Sequence, residues 1–160
     1  MTRKGPLAIN YEALWQEGMK DWHGNMPERM VNDQLEEQFW AQSVARKKMG
    51  QTDPYAARIF QELQKSIEPQ HSVLEIGPGW GNYTLPLAEI VNKLTCVDSS
   101  ESILQYLQQC MAHQEHVSYV HAKWESLENV EMEQHDIVLG VNCFYRMYEI
   151  KSALHHMNRL

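Results

Sequence analysis

The sequence has 160 residues, a net charge of −7 and a hydrophobic content of 43%, which suits one domain with a packed core. The acidic balance disfavours nucleic-acid binding, because such proteins usually carry a basic stripe and only "ARKK" at residues 45–48 is locally basic. No run approaches the roughly 18 apolar residues of a membrane span, and the N-terminus lacks the apolar segment of a signal peptide. These features predict a cytoplasmic protein without a membrane partner.

The cysteines and histidines do not form a recognisable metal-binding pattern. Cys96, Cys110 and Cys143 stand far apart and include no CxxC pair. His155 and His156 are adjacent, so on a helix their side chains would point in different directions. We therefore expect reduced thiols and no metal site.

The first 67 residues are helical in character. We predict helices over residues 11–19 and 28–49, separated by the breaker "WHGNMP". Asp53 followed by Pro54 predicts the start of a third helix, since aspartate caps helices and proline suits their first position. Its expected apolar face comprises Tyr55, Ile59, Leu63 and Ile67. We expect residues 1–67 to form a helical extension or lid packed on the rest of the chain.

After residue 67, strand-like and helix-like segments alternate. The predicted strands are "SVLEI" (72–76), "KLTCV" (93–97), "VSYVH" (117–121) and "HDIVLGV" (135–141). Helices are predicted over residues 83–91, 99–111 and 149–160. Short links between such segments predict parallel strands joined by right-handed crossovers. Residues 68–160 are therefore expected to form an α/β, doubly wound, mostly parallel sheet.

The stretch "LEIGPGWGNYT" places three glycines, Gly77, Gly79 and Gly81, between a strand and a helix. Glycine accepts a positive φ and lets a ligand approach the backbone closely. The helix that follows offers free N–H groups at its N-terminus. A turn without a ligand would need only one glycine, so this stretch predicts a nucleotide cradle.

The spacing and a nearby carboxylate indicate which nucleotide is bound. The glycines are one residue closer than in the dinucleotide pattern G-x-G-x-x-G, and no Walker lysine follows them. Glu75 precedes the first glycine by two residues, where its charge would repel a pyrophosphate. S-adenosylmethionine carries a sulfonium and an ammonium and no phosphate, and it suits this position better.

At "LEIGPGWG" and "LTCVDSS" the sequence resembles the class I S-adenosylmethionine-dependent methyltransferases. Their first motif is acid-x-Gly-x-Gly-x-Gly, and their second is a carboxylate, here Asp98, that ends the second strand and binds ribose hydroxyls. Asp98 could instead cap the next helix, although Ser99 or Ser100 could fill that role. The resemblance covers residues 68–160 and implies a Rossmann-like fold, S-adenosylmethionine as cofactor and methyl transfer. The implied cofactor contacts are Glu75, Gly77, Pro78, Gly79, Gly81, Asp98 and Ser99.

The later motifs of this family are less closely matched. In "HAKWESL", Lys123 and Trp124 stand where the family often has an acid and its neighbour facing adenine, so the acid is missing or displaced to Glu125. The backbone N–H of Trp124 could still serve an adenine nitrogen. After the fourth strand, Asn142 is expected at the carboxyl-end crevice, where open sheets bind ligands.

The acceptor is less clearly indicated than the cofactor. Adenine-N6 methyltransferases carry Asn/Asp-Pro-Pro-Tyr/Phe after the fourth strand, where the aromatic ring stacks on a flipped base. The corresponding residues 142–145, "NCFY", lack both prolines. The stretch "LEIGPGWGNYTLPLA" also resembles that of ribosomal RNA adenine dimethyltransferases, which bind RNA. The missing prolines and the acidic charge favour a small-molecule acceptor.

Several aromatic and basic side chains are candidates for the substrate side. Tyr145, Arg146 and Tyr148 could contact the acceptor, and Arg146 would suit an anionic one. Four residues of the N-terminal helices could form a lid over the cofactor or could only pack the helices onto the sheet. These are Tyr11, Trp15, Trp22 and His23.

The resemblance also implies further strands after the fourth. We therefore expect a truncated chain in which the C-terminal strands of the family's sheet are missing, or a homo-oligomer in which a second copy covers the fourth strand, because an exposed apolar edge invites association. The altered third motif and the missing strands leave open a non-catalytic binding or interaction module of the same fold.

Overall fold

The structure is a computed structural model and describes residues 9–160, so residues 1–8 of the predicted extension lie outside it. Four helices precede the sheet: α1 (Tyr11–Gly18), α2 (Glu28–Val31), α3 (Asp33–Ala45) and α4 (Pro54–Leu63). Helix α3 packs against a later helix, α6 (Glu101–Cys110), and so joins the N-terminal helices to the sheet region. The division into units at residue 67 stays a prediction.

The remaining chain forms one parallel sheet with helices between its strands. Its elements are β1 (Ser72–Ile76), α5 (Thr84–Ala88), β2 (Lys93–Asp98), α6, β3 (Val117–His121), β4 (Ile137–Gly140) and α7 (Ile150–Met157). The strand order is β3-β2-β1-β4, and every pair is parallel. The predicted doubly wound α/β fold is confirmed. Strand β4 forms one edge of this sheet, and its pairing with a second copy stays a prediction.

Neither a membrane-crossing helix nor a metal cluster is found in the described part of the chain. Over residues 9–160, no helix is both long and apolar enough to span a bilayer. The same residues contain no group of three or more His, Cys, Asp or Glu side chains placed to hold a metal ion.

The helix predicted over residues 28–49 is wrong, because the chain turns at Asn32. Asn32 has extended dihedral angles (φ −130°, ψ 100°), and its side-chain oxygen accepts hydrogen bonds from the backbone N–H groups of Gln34 (3.1 Å) and Leu35 (3.2 Å). Asparagine competes with the helical backbone in this way and favours cap positions. Helix α2 therefore ends where α3 begins.

Helix α4 starts as predicted, and most of its predicted apolar face packs on the core. The Asp53 side chain accepts a hydrogen bond from the Tyr55 N–H (2.8 Å), with Pro54 at the first helical position. Ile67 is buried, and Ile59 and Leu63 are partly buried against the same cluster, which also contains Ala56 and Phe60. Tyr55, however, is 73% exposed. Tyr55 is therefore the one residue of the predicted face that lies on the outer side of α4.

The sheet is covered by apolar clusters on both faces. Neighbouring residues of β1 point to opposite sides, and Val73 and Leu74 accordingly belong to different clusters. The Val73 cluster contains side chains from α4, α5 and α6. The Leu74 cluster contains Trp124, which follows β3, and Ala153 of α7. Burial on both faces explains why β1 and β2 read as apolar runs in the sequence.

Gly81, the third glycine of the stretch after β1, is required by helix packing. Its φ is +78°, and a Cβ there would lie 2.7 Å from Leu107 Cδ2 and 3.1 Å from Leu85 Cγ. Side chains in close-packed interiors cannot approach to such distances without displacement. This glycine therefore lets the turn before α5 pack against α6.

Glu75 is a buried carboxylate near the middle of the sheet. It is 2% exposed, and neither its Oε2 atom nor the hydroxyl of Thr84 has a hydrogen-bond partner in residues 9–160. Burial raises the pKa of Glu75 to about 7, the Thr84 hydroxyl lowers it, and the negative charge of Asp98 raises it further. Glu75 therefore takes up a proton close to neutral pH.

Replacing Gly81 should cost more stability than replacing a glycine with free space around it. Gly81→Ala is expected to lower the free energy of unfolding by about 2–4 kcal/mol, through the positive φ and the contact with Leu107. Gly24→Ala is the matched control, because Gly24 has a similar φ of +80° and no described residue lies within 4 Å of its Cβ position. Gly24→Ala should lower the free energy of unfolding by about 1 kcal/mol. Urea unfolding measures both variants, and equal losses would contradict the packing role.

Glu75 should make the protein less stable as pH rises. Between pH 4.5, the ordinary pKa of Glu75, and pH 7, the folded chain keeps a proton that the unfolded chain has released. The free energy of unfolding should therefore fall through this window by up to about 3 kcal/mol. Glu75→Gln should flatten this slope in urea unfolding at several pH values. Glu115→Gln, at an exposed site, should retain the wild-type profile, and a Glu75→Gln profile parallel to wild type would refute the assignment.

Candidate functional site

A large cleft opens at the carboxyl ends of the four strands. Its volume is about 1410 Å³, and α2 and α3 supply one of its walls. Open parallel sheets bind ligands at this edge, where the strand order reverses, here between β1 and β4. The volume exceeds the roughly 300–1,000 Å³ of ordinary small-molecule pockets. The cleft therefore has room for two ligands side by side.

The first two glycines of the motif line this cleft, together with Pro78. Gly77 and Gly79 have φ values of +63° and +53°. Among residues 9–160, a Cβ at Gly79 would meet nothing within 4 Å, whereas one at Gly77 would lie 2.7 Å from Cys143 Cβ. Gly79 therefore leaves open space for a ligand, and Gly77 allows the loop after β4 to come close. Gly81 is not among the lining residues and has the packing role described above, and its predicted ligand contact stays a prediction.

Asp98 ends β2 beside the glycine turn and, like Ser99, lines the cleft. Its Oδ1 atom accepts a hydrogen bond from the Ser100 N–H (2.8 Å). The cap of α6 is Ser100, whose hydroxyl accepts from the Ile103 N–H (3.3 Å). The alternative that Asp98 caps this helix is therefore wrong, and its carboxylate is available to a ligand.

The environment of Asp98 raises the pKa of its carboxyl group. Burial raises the pKa of Asp98 to about 6, the backbone N–H groups of Ser100 and Gly79 lower it, and the charges of Glu36 and Glu37 raise it. A ligand that donates hydrogen bonds or carries positive charge would favour the ionised form.

The residues after β3 line the side of the cleft where the family resemblance implies adenine contacts. Lys123 and Trp124 are both present there, as is Glu125, the displaced acid suggested by the sequence. The Lys123 ammonium forms an ion pair with Asp33 of α3. Trp124 is buried, its indole N–H donates to a carbonyl of α7, and its ring stacks on His156 at 4.2 Å. Its side chain thus serves packing.

The other two predicted cofactor residues, Glu75 and Asn142, lie at different depths relative to the surface of the cleft. Glu75 does not line the cleft, because its side chain lies in the core behind the glycine turn. Its predicted contact with the cofactor stays a prediction. Asn142, after β4, is exposed and lines the cleft with a φ of +56°. Asparagine tolerates this left-handed conformation better than most side chains.

The loop after β4 meets the N-terminal helices across the cleft. Tyr145, Arg146 and Tyr148 all line it, as the sequence suggested for the substrate side. The Arg146 Nη2 atom donates to Glu36 Oε2 (2.8 Å) and to the Arg29 carbonyl (3.0 Å). The Arg29 Nη1 atom lies 3.3 Å from the same Glu36 oxygen. One carboxylate of α3 therefore holds two arginines at the cleft wall.

The predicted lid residues lie outside the cleft. None of Tyr11, Trp15, Trp22 and His23 belongs to its lining. Trp15 has the packing role that was the alternative, since its indole N–H donates to the Met147 carbonyl at 2.8 Å. Tyr11 and Trp22 are exposed. These side chains belong to α1 and the segment after it, whereas the wall of the cleft is built from α2 and α3.

Residues of α2 and α3 are the lining groups that the sequence did not reveal. Prominent among them are Arg29, Met30, Glu36, Glu37, Phe39 and Trp40. Trp80, from within the glycine stretch, also lines the cleft and meets Trp40 edge to face at 5.1 Å. No motif marks these positions. The sequence offered one signal for this wall, which is Asn32, because asparagine favours helix caps and here separates α2 from α3.

Comparison with known proteins assigns the sheet region to a family. The family described as a methyltransferase domain matches residues 73–160, more than half of the chain. The chain is also 36% identical, over 100 residues, to the ribosomal RNA small subunit methyltransferase A of Desulforapulum autotrophicum. That match covers 61% of this chain and 31% of the relative, so the chain spans about a third of this curated relative.

Solved structures share the fold at low sequence identity. The N-methyltransferase NodS from Bradyrhizobium japonicum, solved with S-adenosylhomocysteine, aligns with a TM-score of 0.64 and 19% identity over 77% of this chain and 66% of its own. The magnesium protoporphyrin IX methyltransferase ChlM from Synechocystis aligns with a TM-score of 0.59 and 15% identity over 80% of this chain and 67% of its own. The chain therefore belongs to the methyltransferase-domain family and has the Rossmann-like fold of class I S-adenosylmethionine-dependent methyltransferases.

Proposed function

We propose that this chain binds S-adenosylmethionine and acts in methyl transfer to a small-molecule acceptor. The observation that carries the proposal is the juxtaposition of Asp98 with the Gly77–Gly79 turn at the carboxyl ends of adjacent strands, facing one cleft. Membership of the methyltransferase-domain family supports it.

The cleft has features that fit the cofactor. The open space at Gly79 would let the methionine part of the ligand pass close to the backbone. The Asp98 carboxylate lines the cleft at the end of β2, where it can accept a hydrogen bond from a ribose hydroxyl. Glu75, when ionised behind the turn, adds a negative field that favours a cation. S-adenosylmethionine supplies, when bound, a methyl group that its sulfonium has already activated.

This activation leaves the chain with a positioning task. An in-line displacement is accelerated chiefly by holding the acceptor atom, the carbon and the sulfur in line. Asn142, Tyr145 and Arg146 follow β4 at the cleft wall and are suited to orienting an acceptor beside the glycine turn. A general base is needed only when the acceptor atom must lose a proton.

RNA adenine methylation is a second candidate. Its support is the 36% identity to a ribosomal RNA methyltransferase. The net charge of −7 opposes it, because RNA binding relies on neutralising phosphates. Residues 142–145 also lack the paired prolines of base-flipping adenine methyltransferases. We therefore favour the small-molecule acceptor.

Asp98→Asn should weaken cofactor binding while keeping the local backbone hydrogen bond, since an amide oxygen can still accept from Ser100. We expect a loss of about 1–3 kcal/mol in the binding of S-adenosylhomocysteine, measured by isothermal calorimetry. Asp53→Asn is the control, because asparagine also caps helices and Asp53 lies outside the cleft. If Asp98→Asn binds S-adenosylhomocysteine as tightly as wild type does, Asp98 is not part of the cofactor site. Absence of binding by the wild-type chain at millimolar ligand would refute the proposed cofactor.

The two acceptor candidates differ in salt dependence. If RNA is the acceptor, a ribosomal RNA stem-loop should bind with an affinity that falls steeply between 50 and 200 mM salt, as expected for several phosphate contacts. We expect no such binding at 150 mM salt in gel-shift titrations with saturating S-adenosylhomocysteine. Steep, salt-dependent binding would favour RNA over a small molecule.

A further inference from the structure

Two arginines share a single carboxylate at the β4 side of the cleft. The Glu36 side chain is 14% exposed, that of Arg146 is 22% exposed and that of Arg29 is 38% exposed. All three residues line the cleft. They join α2, α3 and the loop after β4, and they lie on the same wall as Tyr145.

The charges of this cluster do not balance. Glu36 Oε2 serves both arginines, and Glu36 Oε1 accepts a hydrogen bond from the Trp40 indole N–H at 2.7 Å. In the part of the chain that the structure describes, neither arginine forms an ion pair with any other carboxylate. Within residues 9–160, two guanidiniums therefore share one carboxylate as their ion-pair partner in a partly buried wall.

The arginines also retain unused hydrogen-bond donors. Over residues 9–160, the Arg146 guanidinium donates only through Nη2, and the Arg29 guanidinium makes an ion pair without a hydrogen bond. The Arg29 guanidinium lies 3.7 Å from the centre of the Phe39 ring, which restricts its orientation. Each guanidinium has five N–H donors in a planar fork that matches a carboxylate or phosphate.

The sign of the charge differs between the two sides of β1. On the β2 side, the lining includes Asp98, Glu101 and Glu37, whose carboxylate accepts from the Ser102 N–H at 3.0 Å. On the β4 side, the lining includes Arg146 with its partner Arg29. The acidic side suits the cationic cofactor, whereas the surplus positive charge lies where an acceptor would enter.

We infer that the acceptor carries an oxyanionic group, a carboxylate or a phosphate, which Arg29 and Arg146 bind. This inference rests on the proposed function, since it names the acceptor class of the same cleft. Glu36 is a positioning residue, because it holds the two arginines side by side and competes with the anion for their donors. The anion would anchor the acceptor at this wall, with its reactive atom toward the glycine turn.

The sign of the effect at Glu36 separates this role from a purely structural one. If the cluster only ties α2 and α3 to the loop, Glu36→Gln loosens the wall and cannot improve anion binding. If the arginines form an anion site, Glu36→Gln removes a competing charge while its amide oxygen still accepts from Trp40. Anion binding should then become several-fold tighter.

The test uses the full chain, free and saturated with S-adenosylhomocysteine, titrated with inorganic phosphate and separately with acetate at constant ionic strength. Binding is followed by NMR shifts of the arginine Nε–H signals. We expect saturable, millimolar binding that Arg146→Gln and Arg29→Gln each weaken roughly tenfold or more. Arg58→Gln, at an exposed site on α4, is the matched control and should bind as wild type. The stronger of the two anions indicates which oxyanion the acceptor carries.

Each outcome bears on the inference. It is overturned if Glu36→Gln binds phosphate and acetate no more tightly than wild type, or if Arg146→Gln behaves as Arg58→Gln does. If Arg146→Gln fails to fold, Arg146→Lys replaces it, and this variant should also weaken binding because it loses the planar fork. Displacement of phosphate from the arginines by an RNA stem-loop would overturn the small-molecule acceptor. If the wild-type chain binds phosphate but not S-adenosylhomocysteine, the proposed function fails. The arginines then remain an anion site without the role of binding a methyl acceptor.

Discussion

The parallel pairing of β1 with β2 on one side and β4 on the other determines where every group of the cleft lies. This pairing brings Ile76 level with Val97 and with Gly140, so three chain segments leave the sheet at the same edge. Asp98 follows on one side and Asn142 on the other. The apolar clusters on both faces hold the register, because a one-residue slip would turn buried side chains to the opposite face.

The glycine stretch meets two different demands within five residues. Gly77 and Gly79 shape a turn that comes close to the loop after β4 and leaves space for a ligand, whereas Gly81 lets the chain pack beneath α6. Glu75 lies behind the same turn as a buried carboxylate, one oxygen of which has no hydrogen-bond partner among the residues that the structure describes. Such a group is costly in a core that serves only stability, which is consistent with a role in binding a positively charged ligand.

The N-terminal helices complete the cleft in a way that local sequence patterns do not encode. The predicted lid aromatics belong to α1 and the segment after it, yet α2 and α3 form the wall. The turn at Asn32 separates Arg29 from Glu36 in two helices, and Arg146 joins them from a position more than a hundred residues away in the chain. Neither the charge surplus nor the contact of Trp80 with Trp40 has a signature in sequence spacing, because both arise from long-range packing.

The sequence alone determined the α/β class, the four strands, the cofactor motif and Asp98, because each depends on local periodicity or on a motif within one turn. Tertiary structure decided the remaining assignments. It placed Gly81 in helix packing, Glu75 behind the cleft, Ser100 at the helix cap and Tyr55 on the surface. It also brought Arg29, Glu36 and Arg146 together. The physical reason is that burial, charge balance and steric contact depend on neighbours distant in the chain, and only the packed fold specifies those neighbours.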